Sequence, residues 1–285
     1  MPNADGAEDF LRQVHSQQAG ATHHLLNMAR TADGQSSYEV LVEAISGFTL
    51  PGTVLDLGCG DGYLLELIGQ RYHDQARLVG VDLLATEIAA ARQRLGLAAQ
   101  LFEAHAQALP LADASIDIVV SHLVLMLIAP IEPVIAEMAR VLRPRGMFAI
   151  MTIGSGSDSP LSAAITAAGR QIAQEDNVHS PLTGDPRTRT PDGVRSLFGP
   201  DNGFAARIEA QSLPMLLWLD AAQVRAHYLN TYMSQSLSPA AQARFADVID
   251  TLCVADSPRD GKHLITLNLC YARGIRLETE SLLKT

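Results

Sequence analysis

The sequence has few basic residues for its length. Lysine and arginine together number 21, against 31 aspartates and glutamates, so the 285 residues carry a net charge of −10 at neutral pH. A surface of this sign repels the phosphates of nucleic acids and anionic lipid headgroups. We therefore expect neither a nucleic acid nor a membrane as a partner, whereas a homodimer is left open.

Cysteine and long apolar runs are also scarce. The three scattered cysteines form neither a disulfide framework nor a zinc-binding pattern, and we expect no metal. The longest apolar stretch, residues 118–128, is interrupted by a serine and a histidine and is much shorter than the roughly 20 residues of a membrane helix. The acidic first ten residues lack the apolar core of a signal peptide, so we expect a cytoplasmic protein.

Apolar runs alternate with amphipathic segments between about residues 50 and 152, a pattern that predicts βαβ units. Strands joined by helices pair in parallel through right-handed crossovers, which gives an open α/β sheet with helices on both faces. The predicted strands are 53–57, 76–82, 100–104, 115–121 and 147–152. The predicted helices are 63–72, a helix that Thr86 caps and Gly96 ends, and 131–142.

The sequence on either side of this core is less regular. We divide the chain into an N-terminal helical cover (1–48), a core (49–153), a lid-like insertion (154–203) and the C-terminal part of the same domain (204–285). The insertion is rich in Gly, Ser, Pro and Thr and is long for a simple connection. This length favours a segment that closes over a substrate and excludes water.

The flanking segments contain weaker secondary-structure signals. Helices are predicted at 161–173, from Thr190-Pro191 onward and across 220–254, and strands at 204–213 and 263–273. Trp218, His227, Tyr228 and Tyr232 are expected on or near one helix, with the two tyrosines on the same face. They would form either an aromatic wall over a substrate or ordinary packing against the sheet.

A glycine-rich turn, GCGDG, follows the first predicted strand and precedes a helix. Closely spaced glycines in this position let a ligand approach the backbone beside a helix N-terminus. Asp82 ends the next strand, where its carboxylate is placed to accept hydrogen bonds from both hydroxyls of a ribose. The sequence therefore predicts a nucleoside-binding site at this edge of the sheet.

Two classes of nucleoside cofactor compete for the turn. A dinucleotide would bring phosphates beside Asp56 and Asp61, where like charges about 4 Å apart cost roughly 4 kcal/mol at an effective dielectric near 20. It would also favour a glycine where Tyr63 stands. S-adenosyl-L-methionine (SAM) carries a cationic sulfonium and a cationic amine and has no phosphate. The sign of the charge favours SAM.

Three segments resemble a known family: VLDLGCGDGYLL, VGVD and LPLADASIDIVVSHLVLMLIAPIEPVIAEMARVLRPRGMFAI. They are similar to the class I SAM-dependent methyltransferases, above all to the branch of ubiquinone/menaquinone-type and small-molecule enzymes. The resemblance covers about residues 50–152, with a weaker match at 263–273. It implies a Rossmann-like, doubly wound, seven-stranded sheet whose last strand is antiparallel. It also implies in-line methyl transfer from SAM to an O, N or C atom of a small-molecule metabolite, with S-adenosyl-L-homocysteine as product.

Carried over position by position, the resemblance implies a cofactor site. His105 stands where the family often has an aspartate that binds the adenine amine, and Arg145 stands where it usually has a glycine. We expect the change at Arg145 to be harmless because that turn lies away from the ligand edge. The implied cofactor residues are Asp56, Gly58, Cys59, Gly60, Asp61, Asp82, Leu83, Ala106, Gln107 and Ser121, and Tyr38 is a further candidate at the methionine end.

Histidines are the candidates for acid–base chemistry. His122 directly follows the fourth predicted strand, and its ordinary pKa near neutrality suits a general base, although packing within the sheet is the alternative interpretation. His23 and His24 lie on the predicted cover helix. Adjacent helical residues point about 100° apart, so at most one of them is expected to contact the ligand. His24 is the second catalytic candidate.

Three other functions remain open for this sequence. A protein of the same fold that binds or rearranges a metabolite without methylating it would keep the same nucleoside site. An RNA methyltransferase would need a basic face, which the net charge of −10 disfavours. An NAD-dependent dehydrogenase is the most distant alternative, because of the acids at the turn.

Overall fold

The computed structural model describes residues 8–13, 20, 23, 26, 28–48, 52–178, 184–205 and 207–278. Within these ranges, seven strands form one sheet in the order β3-β2-β1-β4-β5-β7-β6. The predicted α/β fold class is confirmed. The strands are β1 Gly52–Leu57, β2 Ala76–Asp82, β3 Ala99–Glu103, β4 Ile116–His122, β5 Leu142–Ile153, β6 Glu209–Leu219 and β7 His263–Ile275.

Strands β1 to β5 are parallel, and β7 is antiparallel to both of its neighbours. β7 lies between β5 and β6, with Met147 opposite Ile275 and Glu209 opposite Arg273. The antiparallel last strand that the resemblance implied is therefore confirmed. All five parallel strands direct their carboxyl ends to the same edge of the sheet, where α/β proteins bind ligands.

Helices cover both faces of the sheet and bury two apolar layers. One layer includes Leu41, Leu65 and Phe245, and the other includes Val134 and Phe198. None of the described helices has the length and apolar character needed to cross a bilayer. The helices are α1 Ser37–Ala44, α2 Tyr63–Tyr72, α3 Ala85–Leu95, α4 Glu132–Val141, α5 Pro160–Glu175, α6 Pro191–Leu197, α7 Ala221–Leu229, α8 Tyr232–Gln235 and α9 Pro239–Ala255.

Within the core, the starts of β5 and α3 differ most from their predictions: β5 begins at Leu142, five residues before the predicted Met147. The residue that precedes α3 is Leu84, which makes no side-chain cap, and Thr86 lies inside the first turn. Gly96 ends the helix with a φ of 56°, as predicted. Helices α5 and α6 match those predicted within the insertion.

The strand predicted at 204–213 is displaced along the chain. The observed β6 begins at Glu209 and continues through Pro214 to Leu219, whereas Phe204 forms only an isolated bridge with Arg276. Phe204 instead packs edge-on against Phe148 in the core. A proline is tolerated in β6 because this is an edge strand, where one side of the backbone needs no ladder hydrogen bond.

The region predicted as helical at 220–254 consists of three helices. The hydroxyl of Thr231 caps α8 and that of Ser238 caps α9, so the chain turns twice. Tyr228 and Tyr232 therefore belong to different helices and share no face. Trp218 lies on β6, with 43% of its surface exposed. The predicted arrangement of these three aromatic residues on one helix is wrong.

Candidate active site

A cavity of about 400 Å³ lies at the carboxyl ends of β1, β2 and β4. Its walls come from the turn after β1, the loops after β2, β3 and β4, and the N-terminal segment. Parallel strands whose connections leave in opposite directions open such a crevice at this edge of a sheet. The topology thus places the cavity where the sequence predicts a nucleoside site.

The glycine turn forms one wall through its backbone. Gly58 has a φ of 77°, and a Cβ atom there would lie 2.1 Å from Cγ2 of Val124. Gly58 and Cys59 donate their N–H groups to the carbonyl of Val81, at 2.7 and 3.0 Å. The turn is therefore held against β2, and only glycine fits at position 58 without displacing the loop after β4.

The carboxylate of Asp82 holds the turn from the opposite side. One oxygen accepts the N–H of Gly60 and the other accepts the N–H of Leu84, both at 2.9 Å. Asp82 thus fixes the backbone of both cavity loops.

Asp56 is the buried carboxylate at the base of the cavity, with 1% of its surface exposed. Its Oδ1 has no hydrogen-bond partner among the described residues. Burial, followed by the charges of Asp82 and Asp61, raises the pKa of Asp56 well above its usual range. A buried acceptor without a partner is costly, so the group favours either a proton or a donor supplied by a ligand.

Asp61 contributes less charge than the sequence suggested. Its Oδ2 lies 2.5 Å from the guanidinium of Arg94 and 3.3 Å from Nδ1 of His23, so an ion pair compensates this carboxylate. Glu87, which was not among the residues predicted from the sequence, adds a buried carboxylate to the cavity wall. It accepts the backbone N–H of Gly20 at 3.1 Å. Acidic side chains that line the cavity besides Asp61 include Asp56, Asp82 and Glu87.

Four aromatic rings connect the glycine turn to the end of β4. His23 stacks on Tyr63 at 4.0 Å between centroids, and Tyr63 meets Tyr38 edge-on at 5.0 Å. Tyr38 stacks on His122 at 3.9 Å. All four rings line the cavity, and burial raises the pKa of Tyr38 well above 10.0, which keeps its phenol neutral.

His122 is held at the end of β4, with 7% of its surface exposed. Its Nε2 lies 2.8 Å from Oγ of Ser37, the first residue of α1. Burial lowers the pKa of His122 to about 3, so the ring is neutral at physiological pH and is a weak proton acceptor. This environment favours an orienting role over the general base that the sequence suggested.

Most of the cofactor residues named from the sequence line the cavity, and so do His105 and His122. Ser121 does not: it is fully buried, and its hydroxyl donates to the carbonyl of Leu57 at 2.8 Å, which corrects its expected place in the site. His24 lies outside the described residues. The cofactor residues that line the cavity are Tyr38, Asp56, Gly58, Cys59, Gly60, Asp61, Asp82, Leu83, Ala106 and Gln107.

The N-terminal segment covers the cavity. Glu8, Leu11, Gly20 and His23 line it, as does Tyr232 from α8. No described residue of 154–203 lines the cavity. The N–H of Gly154 instead donates a hydrogen bond to the carbonyl of Asn268 on β7, at 2.8 Å. Closure of the insertion over a substrate therefore stays a prediction. The cover comes from the N-terminal side.

The cavity residues fit SAM better than a dinucleotide. Asp56 offers a buried carboxylate oxygen that has no partner within the described ranges, and the turn at Gly58 brings backbone against the cavity. Among the described lining residues there is no lysine or arginine that would balance a pyrophosphate. The donor set therefore suits a ligand with cationic groups.

The sequence is similar to methyltransferases. The family described as "Methyltransferase domain" matches residues 55–150. A malonyl-[acyl-carrier protein] O-methyltransferase of Pectobacterium atrosepticum is 32% identical over 156 residues, which are 54% of this chain and 57% of that protein. One of the same name from Geobacter sulfurreducens is 33% identical over 139 residues, or 47% of this chain and 52% of that one. The chain thus spans about half the length of these relatives.

Solved structures share the fold at low sequence identity. Phosphoethanolamine N-methyltransferase 2 of Haemonchus contortus has a TM-score of 0.60 at 14% identity, covering 95% of this chain and 60% of that one. The YcgJ protein of Bacillus subtilis has a TM-score of 0.57 at 16% identity, and the match covers 85% of this chain and 98% of that one. These likenesses support the Rossmann-like architecture alone.

Proposed function

We propose that the chain is a class I SAM-dependent methyltransferase and that it transfers the methyl group of SAM to an oxygen atom of a small-molecule acceptor. The observation that carries this proposal is the acidic cavity at the carboxyl ends of β1, β2 and β4, built on a glycine turn. Bound SAM supplies a methyl group activated by the sulfonium charge for in-line displacement.

The chain's own residues would bind and orient the cofactor. In this proposal Asp82 accepts the ribose hydroxyls while it holds Gly60 and Leu84. The loop with Ala106 and Gln107 would border the adenine, and Asp56 would face the cationic end. Positioning and exclusion of water by the N-terminal cover supply much of the rate, because such effects are worth about 7–11 kcal/mol.

An acyl carboxylate is the acceptor group that the relatives' names suggest. Two relatives at 32% and 33% identity are named malonyl-[acyl-carrier protein] O-methyltransferases. A carboxylate is already ionised at neutral pH and needs no general base. This agrees with the site, where burial lowers the pKa of His122 to about 3 and raises that of Tyr38. We therefore propose an acyl thioester with a free carboxylate as the first substrate class to test.

The test is product mass spectrometry with matched acceptors. The full chain is incubated with SAM and either malonyl-N-acetylcysteamine or its acetyl counterpart, which lacks the free carboxylate. The proposal predicts a product heavier by one methylene unit from the malonyl compound alone. Equal labelling of both compounds, or methylation of neither while an amine acceptor is methylated, would overturn the carboxylate proposal. Failure of every acceptor in an extract of the source organism would contradict methyl transfer itself.

A further inference from the structure

Ser37 and His122 form a buried pair beside the cavity. Oγ of Ser37 lies 2.8 Å from Nε2 of His122, and only 1% of Ser37 is exposed. Within the described residues this is the hydroxyl's one hydrogen-bond partner. The direction of the bond is therefore decided by where the hydroxyl proton and the imidazole proton each find an acceptor.

Only one direction gives the buried hydroxyl proton an acceptor. If Nε2–H donated to Ser37, the hydroxyl proton would be buried without an acceptor, at a cost of about 1–3 kcal/mol. If Ser37 donates to Nε2, the hydroxyl is satisfied and the single proton of a neutral imidazole resides on Nδ1. Nδ1 has no partner among the described residues, and His122 lines the cavity.

We propose that Ser37 fixes His122 as its Nδ1–H tautomer, so that the ring donates a hydrogen bond to an oxygen atom of the methyl acceptor. This inference rests on the proposed function for the presence of an acceptor, but not for the tautomer. It assigns Ser37 as a positioning residue. It also restricts the acceptor to molecules with a carbonyl, carboxylate or hydroxyl oxygen near the transferred methyl group.

The surroundings of His122 support a donor at this place. Tyr38 stacks on the ring at 3.9 Å with an angle of 27° between the planes, which restricts its rotation. Asp56, Asp82 and Glu87 contribute carboxylates to the cavity, and an ionised carboxylate accepts hydrogen bonds only. The described lining contains no lysine or arginine. An N–H group at the end of β4 therefore supplies a hydrogen-bond donor for the oxygen atom of the methyl acceptor.

The tautomer is measured directly by ¹⁵N NMR of the full chain labelled at histidine. His122 is assigned from the signals that disappear in His122→Asn. We expect the protonated nitrogen to be Nδ1 at neutral pH, whereas free histidine favours Nε2–H. A wild-type protein in which Nε2 carries the proton would overturn the inference, whatever its methylation activity.

Two substitutions at Ser37 separate positioning from folding. In Ser37→Ala we expect loss of the exclusive Nδ1–H pattern, and in Ser37→Thr, which keeps the hydroxyl, we expect it to persist. An unchanged tautomer in Ser37→Ala would contradict the assignment. Should Ser37→Ala fail to fold, the wild-type and Ser37→Thr spectra still decide the question.

Kinetics with the malonyl probe then test the contact itself. Loss of one hydrogen bond predicts a roughly 3- to 10-fold rise in KM for malonyl-N-acetylcysteamine in Ser37→Ala, with SAM affinity unchanged within twofold. Weakened SAM binding in this variant would place Ser37 with the cofactor and overturn the inference. If the wild type binds no SAM, the proposed function fails, while the NMR result stands on its own.

Discussion

Asp56 experiences an environment far from that of a carboxylate in water. It is buried, its Oδ1 lacks a partner among the described residues, and its pKa is raised. A carboxyl group whose folded pKa exceeds its unfolded value stabilises the protein fully below the unfolded value near 3.8. That contribution is lost as the pH rises through the folded pKa.

Asp56→Asn is therefore expected to make the ligand-free protein more stable at pH 8. The amide cannot ionise, so the free energy of unfolding should rise by about 1.4 kcal/mol for each pKa unit of the shift. Urea denaturation between pH 4 and pH 8 measures this, with the exposed Asp74→Asn as a control for loss of one negative charge. Equal pH profiles for wild type and Asp56→Asn would show that Asp56 does not titrate in this way.

Arg145 is a second residue in an unusual state. Its φ is 64°, in the left-handed region, and its side chain is 79% exposed with a single weak ion pair to Glu278. The turn lies at the start of β5, away from the cavity, as expected from the sequence. The family's usual glycine at this position therefore has a backbone explanation.

Arg145→Gly should stabilise the protein. Relief of the left-handed strain, about 1–2 kcal/mol, exceeds the entropy cost of a glycine, about 0.5–1 kcal/mol. Thermal or urea unfolding measures the gain. The control is Arg92→Gly within α3, where an exposed helical arginine has no such strain and the substitution should cost about 1 kcal/mol. Destabilisation by both substitutions would contradict this explanation.

At the scale of the elements, the core strands were predictable from the sequence because parallel strands leave continuous apolar runs. Leu55, Val79 and Val119 are all buried within such runs. The C-terminal half was less predictable, since Pro214 precedes the alternation of Met215, Leu217 and Leu219, and proline is uncommon inside strands. A strand can contain this proline because it lies at the edge of the sheet, and the sequence alone does not show which strand is at the edge.

The residues of the site also divide into those that the sequence predicted and those that it did not. Asp56, Gly58 and Asp82 were predicted because they stand beside strand ends in a recognisable motif. Glu87 and Ser37 were not, because their places depend on how a helix start or the N-terminal segment folds back over the sheet. Contacts between residues that are far apart in the sequence leave no local sequence pattern from which they could be predicted.

The N-terminal cover offers a test at this scale. A Cβ atom at Gly20, whose φ is 72°, would lie 2.5 Å from Oδ2 of Asp61. Gly20→Ala is therefore expected to displace the cover from Asp61 and Glu87 and weaken SAM binding about tenfold. The free energy of unfolding should fall only by the left-handed backbone strain, about 1–2 kcal/mol, because the helices and sheet are untouched. Calorimetry and thermal unfolding measure the two effects.

Gly34→Ala is the matched control. Gly34 also has a positive φ, of 91°, but a Cβ atom there would meet nothing within 4 Å. Both variants carry backbone strain, and only Gly20→Ala disturbs the cavity wall. If the two variants bind SAM equally well, the cover contributes nothing to the cofactor site.

For the whole molecule, the net charge of −10 and the acidic cavity point in the same direction. The excess of acidic residues disfavours phosphate-rich partners, and this holds although Arg94 compensates Asp61. Asp82 and Glu87 add carboxylates to the cavity wall, and Oδ1 of Asp56 adds a buried acceptor without a partner among the described residues. A cationic nucleoside is therefore stabilised where a diphosphate is repelled.

Isothermal titration calorimetry of the full chain with SAM and with NAD⁺ tests this central claim most directly. We predict that SAM binds, that NAD⁺ gives no saturable heat, and that Asp82→Ala weakens SAM tenfold or more, because hydrogen bonds to a charged group are worth about 1.5–3 kcal/mol. Saturable binding of NAD⁺ together with no binding of SAM would contradict the account.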